Sequence, residues 1–353
     1  MTIPSHIETA LINTAGISHI NQVSVIQSLW SGYGQLLRVS IEPGIKLTDQ
    51  RVANTAPMKS VIVKHIQLPC STLSQQSDQL AHPRGWNTQL SHQRKLDSYA
   101  VEQHWYQSYA NQCHSSSYLP QCIQSQQHGN DILLILEDLA CQGFTDVYQQ
   151  ASAINHDIIK ACLQWLAQFH GQFINHCAQG LWPIGSYWHL ATRPDEYASM
   201  PDSELKRAAS AIDNALNQCQ YQTIIHGDAK LANFCINPDN QQAAAVDFQY
   251  VGKGCGIKDV VMLLSSTLDF SQSHQQLDTQ ISRHLEYYFD SLKTSIQQYK
   301  QALPPEEVIT EWRDLFHIAW ADFQRFLLGW SPNHAKNNSY TQKLTNKALK
   351  QLK

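Results

Sequence analysis

The sequence predicts an α+β chain of two lobes, in which a small antiparallel sheet with one helix is followed by a mainly helical lobe. Apolar residues recur mostly with period 2 before residue 138 and almost entirely with a helical period after it. We therefore place the boundary at this change, with an N-terminal lobe over 1–138 and a C-terminal lobe over 139–353. A chain of 353 residues is long enough for such a unit to bury a sizeable core.

The N-terminal lobe is predicted from three strand patterns and one helix. The stretch "QVSVIQSLWSGYGQLLRVSIE" alternates apolar and polar residues on both sides of Gly32 and Gly34, which predicts a hairpin with a glycine-containing turn. "KSVIVKHIQL" is a further strand, and "DILLILEDL" (131–139) is a continuous apolar strand that ends in two acids. The segment 91–111 has a helical pattern and places Glu102 on an otherwise aromatic face.

The C-terminal lobe is predicted to be helices interrupted by short strands. "HDIIKACLQWLAQFHGQF" carries one apolar stripe, and "SELKRAASAIDNALNQC" begins with Ser203 as a candidate N-cap. Two short strands are expected at 222–226 and 242–247, with a tight turn before the second. From residue 257 to the end we expect three or four helices.

Composition restricts the class of protein. A net charge of −4 gives no electrostatic case for nucleic acid. No apolar run approaches the length of a membrane span and no signal peptide is recognised, so we expect a cytoplasmic protein. Nine scattered cysteines without a CxxC pair predict reduced core thiols rather than disulfides or a zinc site. The sequence does not indicate an oligomeric state.

One polar cluster lies between two apolar runs, in "QTIIHGDAKLANFCI". It contains His226, Asp228, Lys230 and Asn233, and Asp247 follows the next predicted strand in "AAVDFQ". Two acids and one carboxamide are therefore expected at the ends of adjacent short strands. Since Mg²⁺ prefers hard oxygen ligands, Asn233 and Asp247 are candidate metal ligands, while Asp228 would face a separate group.

The motif H-G-D-x-x-x-x-N followed by D-F resembles the aminoglycoside phosphotransferase and choline kinase-like superfamily, distant relatives of protein kinases. The form "HGDAKLANFC…AVDFQ" looks closest to the ecdysteroid kinase-like branch. The strong motifs cover 226–259, and the N-terminal matches are weaker. The resemblance implies a protein kinase-like fold and ATP- and Mg²⁺-dependent transfer of the γ-phosphate to a hydroxyl of a small molecule. A choline-type, an aminoglycoside and a sterol-like acceptor all stay open.

The resemblance assigns roles to five residues. Asp228 matches the catalytic-loop aspartate that accepts the proton of the substrate hydroxyl, and Asn233 and Asp247 match the metal-binding pair. Lys64, in "SVIVKHI", matches the strand lysine that holds nucleotide phosphates, and Glu102 matches the helix glutamate that pairs with it.

Weaker matches complete the nucleotide site that the resemblance implies. The stretch 31–34, with Gly32 and Gly34, occupies the place of the phosphate-covering loop, although any hairpin turn can carry two glycines. Glu137 to Leu139 occupies the place of the hinge near adenine. These parts occur in the order that the kinase template requires.

Several of these residues have competing interpretations. Asp228, Asn233 and Asp247 could instead be turn and cap residues. For His226 we favour a structural hydrogen-bonding role over catalysis. Lys59 is the rival of Lys64, and Lys230 is open between a contact to the transferred phosphate and a surface position.

The sequence departs from protein kinases at several positions. Gly227 stands where protein kinases have an arginine, and Gln249 replaces the glycine of D-F-G. Only eleven residues separate Asp247 from Asp259, too few for a long peptide-docking segment, so a small-molecule acceptor is expected. Asp259 is predicted to anchor the catalytic loop from behind.

The acceptor is expected between Asp228 and the C-terminal helices. Asp322 and Arg325, in "HIAWADFQRFLLGWSP", are possible pocket residues, and Trp188, in "GSYWHLATRP", is a possible closing residue. The competing hypothesis is a non-catalytic nucleotide-binding protein or scaffold, which loss of a motif residue would favour; none is missing. No GxxxxGK[ST] motif occurs, which excludes a Walker-type NTPase.

Overall fold

The computed structural model describes residues 5–13, 17, 19–29, 32–45, 58–68, 88–149, 154–239 and 241–353. Ser31 of the predicted phosphate-covering loop lies outside these residues.

An antiparallel five-stranded sheet forms the N-terminal lobe, in the order β1-β2-β3-β5-β4. Its strands are β1 (His19–Ser28), β2 (Gly34–Ile45), β3 (Met58–Gln67), β4 (Cys122–His128) and β5 (Asp131–Glu137). The alternation in β3 directs Val61 and Val63 towards helix α1 (Ser5–Asn13), and directs Lys64 and Ile66 to the opposite face. Helix α2 (Gln89–Ser108) covers that opposite face and connects it to the helical lobe.

The predicted glycine hairpin joins β1 to β2. The Leu29 N–H donates to the Gly34 carbonyl over 2.8 Å and closes the turn. A Cβ atom on Gly34, whose φ is +139°, would lie 2.0 Å from the carbonyl oxygen of His65 on the neighbouring strand. Only glycine permits this close approach of two backbones.

Helices dominate the chain after β5. They are α3 (His156–Phe173), α4 (Pro194–Ser199), α5 (Glu204–Arg207), α6 (Ala209–Asn217), α7 (Ile257–Thr267), α8 (His274–Tyr299), α9 (Pro305–Asp314), α10 (Phe316–Trp330) and α11 (Ser339–Gln351). Ser203 caps α5 by accepting the Lys206 N–H over 3.2 Å, as expected. Five helices follow residue 257, instead of the predicted three or four, because short breaks divide the apolar pattern.

Five short strands lie among these helices. They are β6 (Asp146–Val147), β7 (Thr223–Ile225), β8 (Phe234–Asn237), β9 (Gln242–Ala245) and β10 (Gly252–Gly254). Strand β7 pairs with β10, and β6, β8 and β9 form a second small sheet. The polar cluster therefore runs from the end of β7 to the start of β8, and Asp247 follows β9.

The predicted α+β class, with an antiparallel sheet followed by a mainly helical part, is confirmed. The change from sheet to helices comes after β5, while the lobe boundary at residue 138 stays a prediction. The eight cysteines among the described residues are free thiols. Within the same ranges, no helix is long and apolar enough to cross a membrane.

A histidine pair makes the stability of the helical lobe dependent on pH. His156 Nδ1 and His284 Nε2 lie 2.8 Å apart and join α3 to α8. Burial, together with the nearby positive charges of His156, Arg283 and Lys160, lowers the pKa of His284 to about 4. The unfolded value is about 6.5, so between these two pH values the unfolded chain binds more protons and stability falls as the pH falls.

We expect His284→Gln to reduce this acid sensitivity. The pKa difference of His284 between the folded and unfolded states makes the free energy of unfolding of the wild type about 2 kcal/mol lower at pH 5 than at pH 7.5. Urea unfolding at both pH values measures the loss, which should be smaller by about that amount in the variant. His128→Gln, at an exposed end of β4, is the matched control. Equal losses in wild type and His284→Gln would contradict the assignment.

Candidate active site

A buried carboxylate on α7 holds the loop that follows β7. The backbone N–H groups of His226 and Gly227 donate to Asp259 Oδ2 and Oδ1 over 2.6 and 2.9 Å. His170 Nε2 of α3 lies 3.1 Å from Asp259 Oδ2, and the Asp259 side chain is fully buried. Asp259 therefore anchors the loop from behind, as predicted.

The imidazole of His226 fixes the loop on its other side. Its Nε2 lies 3.0 Å from the Val246 carbonyl, and its Nδ1 lies 3.3 Å from the Asp228 backbone nitrogen. Since a carbonyl only accepts and a backbone N–H only donates, the proton resides on Nε2. The fully buried ring thus joins the loop to the residue before Asp247, which favours the structural interpretation of His226.

Gly227 is required by the backbone around it. Its φ is +79°, and a Cβ atom there would lie 2.1 Å from the Tyr250 carbonyl oxygen. Its own carbonyl accepts the Tyr187 N–H over 3.1 Å. The loop is packed directly against the segment after Phe248. Because of this packing, an arginine, which protein kinases carry at this position, cannot fit here.

The Asp228 carboxylate has one oxygen held and one oxygen free. Oδ2 accepts from Lys230 Nζ over 3.0 Å and from Asn233 Nδ2 over 3.1 Å. Oδ1 is buried and has no hydrogen-bond partner among the described residues. The Asp228 carboxylate raises the pKa of Lys230, which keeps this ammonium charged. The free oxygen is the one that can accept a hydrogen bond from a bound molecule.

Lys64, Glu102 and Asp247 come together in one ion-pair network, in which Lys64 and Glu102 are buried and Asp247 is partly exposed. Lys64 Nζ lies 2.7 Å from Glu102 Oε2 and 2.9 Å from Asp247 Oδ1. Lys59, the rival candidate, is exposed on β3. Desolvation would lower the pKa of Lys64, but the charges of Asp247 and Glu102 outweigh it and raise the pKa.

Asp247 has an unusual backbone and a strongly acidic side chain. Its φ is +69°, in the left-handed region that non-glycine residues rarely occupy. Desolvation would raise its pKa, but the ammonium groups of Lys64, Lys230 and Lys95 outweigh this effect and hold the pKa well below its usual range. The carboxylate is therefore ionised under all ordinary conditions.

Two oxygen atoms in the site fit a hard divalent cation. Asn233 Nδ2 is used in bonds to Asp228, which leaves Asn233 Oδ1 as the acceptor end of that amide. Asp247 Oδ1 accepts from Lys64 and Gln249, and no described residue donates to Oδ2. An amide oxygen and a carboxylate oxygen match the preference of Mg²⁺ for oxygen ligands.

Gln249 and Lys95 belong to this site, although the sequence analysis assigned neither to it. Gln249 Nε2 donates to Asp247 Oδ1 over 2.9 Å, and Gln249 Oε1 accepts from Lys95 Nζ over 2.7 Å. Ser98 Oγ also donates to Gln249 Oε1, over 3.3 Å. The residue in the place of the D-F-G glycine thus connects Asp247 to helix α2.

The glycine turn lies beside α2. Gly32 has a φ of +70°, and its N–H donates to the Leu29 carbonyl over 3.2 Å. The hydroxyl of Tyr33, between the two glycines, is hydrogen-bonded to His92 Nδ1 of α2. A role of Gly32 and Gly34 in covering phosphates stays a prediction.

The role of Glu137 to Leu139 as the hinge near adenine stays a prediction, and the structure shows what their side chains contact. Glu137 Oε1 accepts from the Tyr118 hydroxyl over 2.9 Å, and Oε2 accepts from the Gln121 N–H over 3.1 Å. Leu139 packs with Tyr118 and Phe144 in a small buried cluster. Both carboxylate oxygens of Glu137 thus accept hydrogen bonds from within the protein.

The structure places three predicted acceptor-pocket residues in the protein interior. They are Trp188, Asp322 and Arg325. Trp188 Nε1 donates to Asp322 Oδ2 over 3.0 Å, and the Arg325 guanidinium lies 2.8 Å from Asp322 Oδ1. Arg325 also donates to the Trp188 carbonyl over 3.0 Å. All three are at most 1% exposed, so they form an internal network of the helical lobe rather than the wall of an acceptor pocket.

The fold and the site define a kinase-like phosphotransferase. A model of the phosphotransferase enzyme family matches residues 83–294, which is more than half of the chain. The protein therefore belongs to the phosphotransferase enzyme family, and the superfamily resemblance is confirmed. Its assignment to the ecdysteroid kinase-like branch stays a prediction.

Similarity to one solved structure supports the same fold, and two further structures are similar at lower TM-scores. A choline kinase from Cryptosporidium parvum Iowa II is similar with a TM-score of 0.51 at 10% identity, and the match covers 99% of this chain and 95% of that one. An amicoumacin kinase in complex with AMP-PNP, Ca²⁺ and Ami has a TM-score of 0.47 at 12% identity, covering 98% and 92%. A Plasmodium vivax ethanolamine kinase has a TM-score of 0.43 at 8% identity, covering 97% and 84%. No curated protein matches the sequence.

Proposed function

We propose that this protein is an ATP-dependent small-molecule kinase that transfers the γ-phosphate to an acceptor hydroxyl. The observation that carries the proposal is the difference between the two Asp228 carboxylate oxygens. Oδ2 accepts from Lys230 and Asn233, whereas the buried Oδ1 has no hydrogen-bond partner in the part of the chain that the structure describes. This oxygen lies in the loop that also supplies Asn233, a candidate cation ligand. Family membership supports phosphoryl transfer as the reaction class.

The acceptor hydroxyl donates a hydrogen bond to Asp228 Oδ1, which orients its oxygen towards the γ-phosphorus. As the new oxygen–phosphorus bond forms, the bond from phosphorus to the β,γ-bridging oxygen breaks and ADP leaves with that electron pair. A carboxylate is a weak base for an alcohol, so Asp228 receives the hydroxyl proton late in the step. Lys230 stabilises the Asp228 carboxylate from the other side and stands near the transferred group.

Asn233 and Asp247 would hold Mg²⁺, which supplies charge neutralisation for the phosphates when bound. Lys64, aligned by Glu102, would bind the phosphates of the nucleotide, because its ammonium lies next to Asp247. Phosphoryl transfer depends mainly on positioning and electrostatic stabilisation, and these residues supply both.

The acceptor would lie beside partly buried aromatic rings. The Tyr187 N–H donates to the Gly227 carbonyl, next to Asp228, and the ring centroids of Tyr187 and Tyr250 are 5.9 Å apart. These residues replace Trp188, Asp322 and Arg325 as the proposed acceptor wall. Choline-type, aminoglycoside and sterol-like alcohols are the classes to be compared.

An ADP-release assay with Mg²⁺-ATP over a panel of these three classes tests the proposal. We expect one class to raise ADP release well above the rate without acceptor, with a gain of one phosphate in the mass of that acceptor. Chelation of Mg²⁺ should abolish the transfer. Nucleotide binding that depends on Mg²⁺, with no acceptor phosphorylated, would instead favour the non-catalytic hypothesis.

A further inference from the structure

Helix α2 presents a second lysine to the nucleotide site. Lys95, Ser98 and Glu102 follow one another at i, i+3 and i+7, so their side chains lie on one face of the helix. Glu102 and Ser98 are both buried and reach Lys64 and Gln249, respectively. Lys95 lies two turns before Glu102 and reaches the same cluster through Gln249.

The partners of Lys95 are neutral. Its ammonium lies 2.7 Å from Gln249 Oε1 and 4.7 Å from the centroid of the Tyr99 ring. No carboxylate of the residues that the structure describes lies within ion-pair distance of it; Asp247, Glu102 and Asp228 act on it only from further away. Burial lowers the pKa of Lys95 to about 8, which reflects an ammonium that has lost water without gaining an anion.

Gln249 fixes this ammonium relative to the proposed metal ligand. One end of the amide accepts from Lys95, and the other end donates to Asp247 Oδ1 over 2.9 Å. The Gln249 carbonyl also accepts from Trp182 Nε1 over 2.8 Å, so the residue is held at both its side chain and its backbone. Lys64 directly, and Lys95 through the Gln249 amide, are therefore both connected to Asp247 Oδ1 by hydrogen bonds.

We propose that Lys95, positioned by Gln249, is a second phosphate-binding lysine of this site, and that its ligand is the phosphate chain of a nucleoside triphosphate. This rests on the proposed function. Glu102 and Asp247 already balance the charge of Lys64, whereas none of the described carboxylates forms an ion pair with Lys95. A triphosphate bound beside Asp247 supplies that anion and accepts a charge-assisted hydrogen bond from Lys95.

The proposal explains why a glutamine replaces the glycine of D-F-G. Glycine has no side chain, so it would leave Lys95 without its hydrogen-bond partner and Asp247 without one of its two donors. Glutamine offers an acceptor to the lysine and a donor to the aspartate at once. Its neutral amide holds the ammonium without forming an ion pair that would compete with phosphate.

The proposal is tested without turnover by calorimetry. The affinity of the protein for a non-hydrolysable ATP analogue, in the presence of Mg²⁺, is compared with its affinity for adenosine. We expect Lys95→Met to weaken binding of the analogue at least about tenfold and to change binding of adenosine less than about twofold. Lys95→Arg, which keeps the charge, should restore most of the affinity. Lys59→Met, at an exposed position of β3, removes the same charge and should leave both affinities unchanged.

The outcomes separate this proposal from the function on which it rests. Unchanged binding of the analogue by Lys95→Met would overturn it. Equal weakening of adenosine and the analogue would also overturn it, because Lys95 would then only brace the lobe. If the wild type binds the analogue and phosphorylates an acceptor, either result leaves the kinase function intact. Failure of the wild type to bind any nucleotide would overturn both.

Discussion

Asp228→Asn should reduce the rate of phosphoryl transfer by roughly 10²–10⁴-fold, the range that a positioned proton acceptor contributes. Lys230 and Asn233 both donate to Asp228 Oδ2, so the single oxygen of the asparagine amide will turn towards them. The NH₂ group then occupies the place of Oδ1, where it donates instead of accepting. The variant can neither orient the acceptor hydroxyl nor take its proton.

The measurement is turnover of the acceptor identified in the panel, with binding of the non-hydrolysable analogue recorded on the same samples. Binding should change less than about threefold, because in our proposal Asp228 contacts the acceptor rather than the phosphates. Asp202→Asn, which removes an exposed carboxylate outside the loop, should have wild-type turnover. An Asp228→Asn protein that retains more than a tenth of the wild-type rate would show that the site is assigned incorrectly.

The parts of the site that the sequence predicts are those in which neighbouring residues act together. His226, Asp228 and Asn233 lie in one short loop between two strands, so local pattern and motif spacing bring them together. The pairing of Lys64 with Glu102 was also accessible, because a carboxylate on a buried aromatic face needs a cation. The choice of Lys64 as that cation came from the resemblance to the family, with Lys59 left as its rival.

The errors arise where tertiary packing decides whether a polar side chain meets solvent. Asp322 and Arg325 lie at i, i+3 on α10, a spacing that allows them to neutralise each other inside the core. Their aromatic neighbours suggested a pocket, whereas the fully buried Trp188 completes an internal network.

Lys95 shows what sequence reasoning missed and what signal was present. Its spacing of seven residues from Glu102 places both on one face of α2, which was visible in the sequence. Its partner Gln249 is 154 residues away, and the contact exists only because α2 packs against the segment after Asp247. The replacement of the D-F-G glycine by Gln249 is visible in the sequence, but its hydrogen bonds to Lys95 and Asp247 are visible only in the structure.

Asp259→Ala should lower the free energy of unfolding by roughly 3 kcal/mol or more, the largest stability effect that we expect at a single polar residue. The substitution leaves the His226 and Gly227 N–H groups without acceptors in a fully buried environment. His170 also loses its partner at Nε2. Each unsatisfied buried donor costs about 1–3 kcal/mol.

Asp259→Asn separates loss of the acceptor from loss of volume. Its amide has one oxygen, so it can accept one of the two backbone N–H groups and opposes the other with its own NH₂ donor. We expect a destabilisation of about half that of the alanine variant, measured by urea unfolding with Asp269→Asn as the exposed control. Because the loop carries Asp228, transfer should fall in both variants even under conditions where they remain folded. Full stability in Asp259→Ala would mean that the carboxylate does not support the loop.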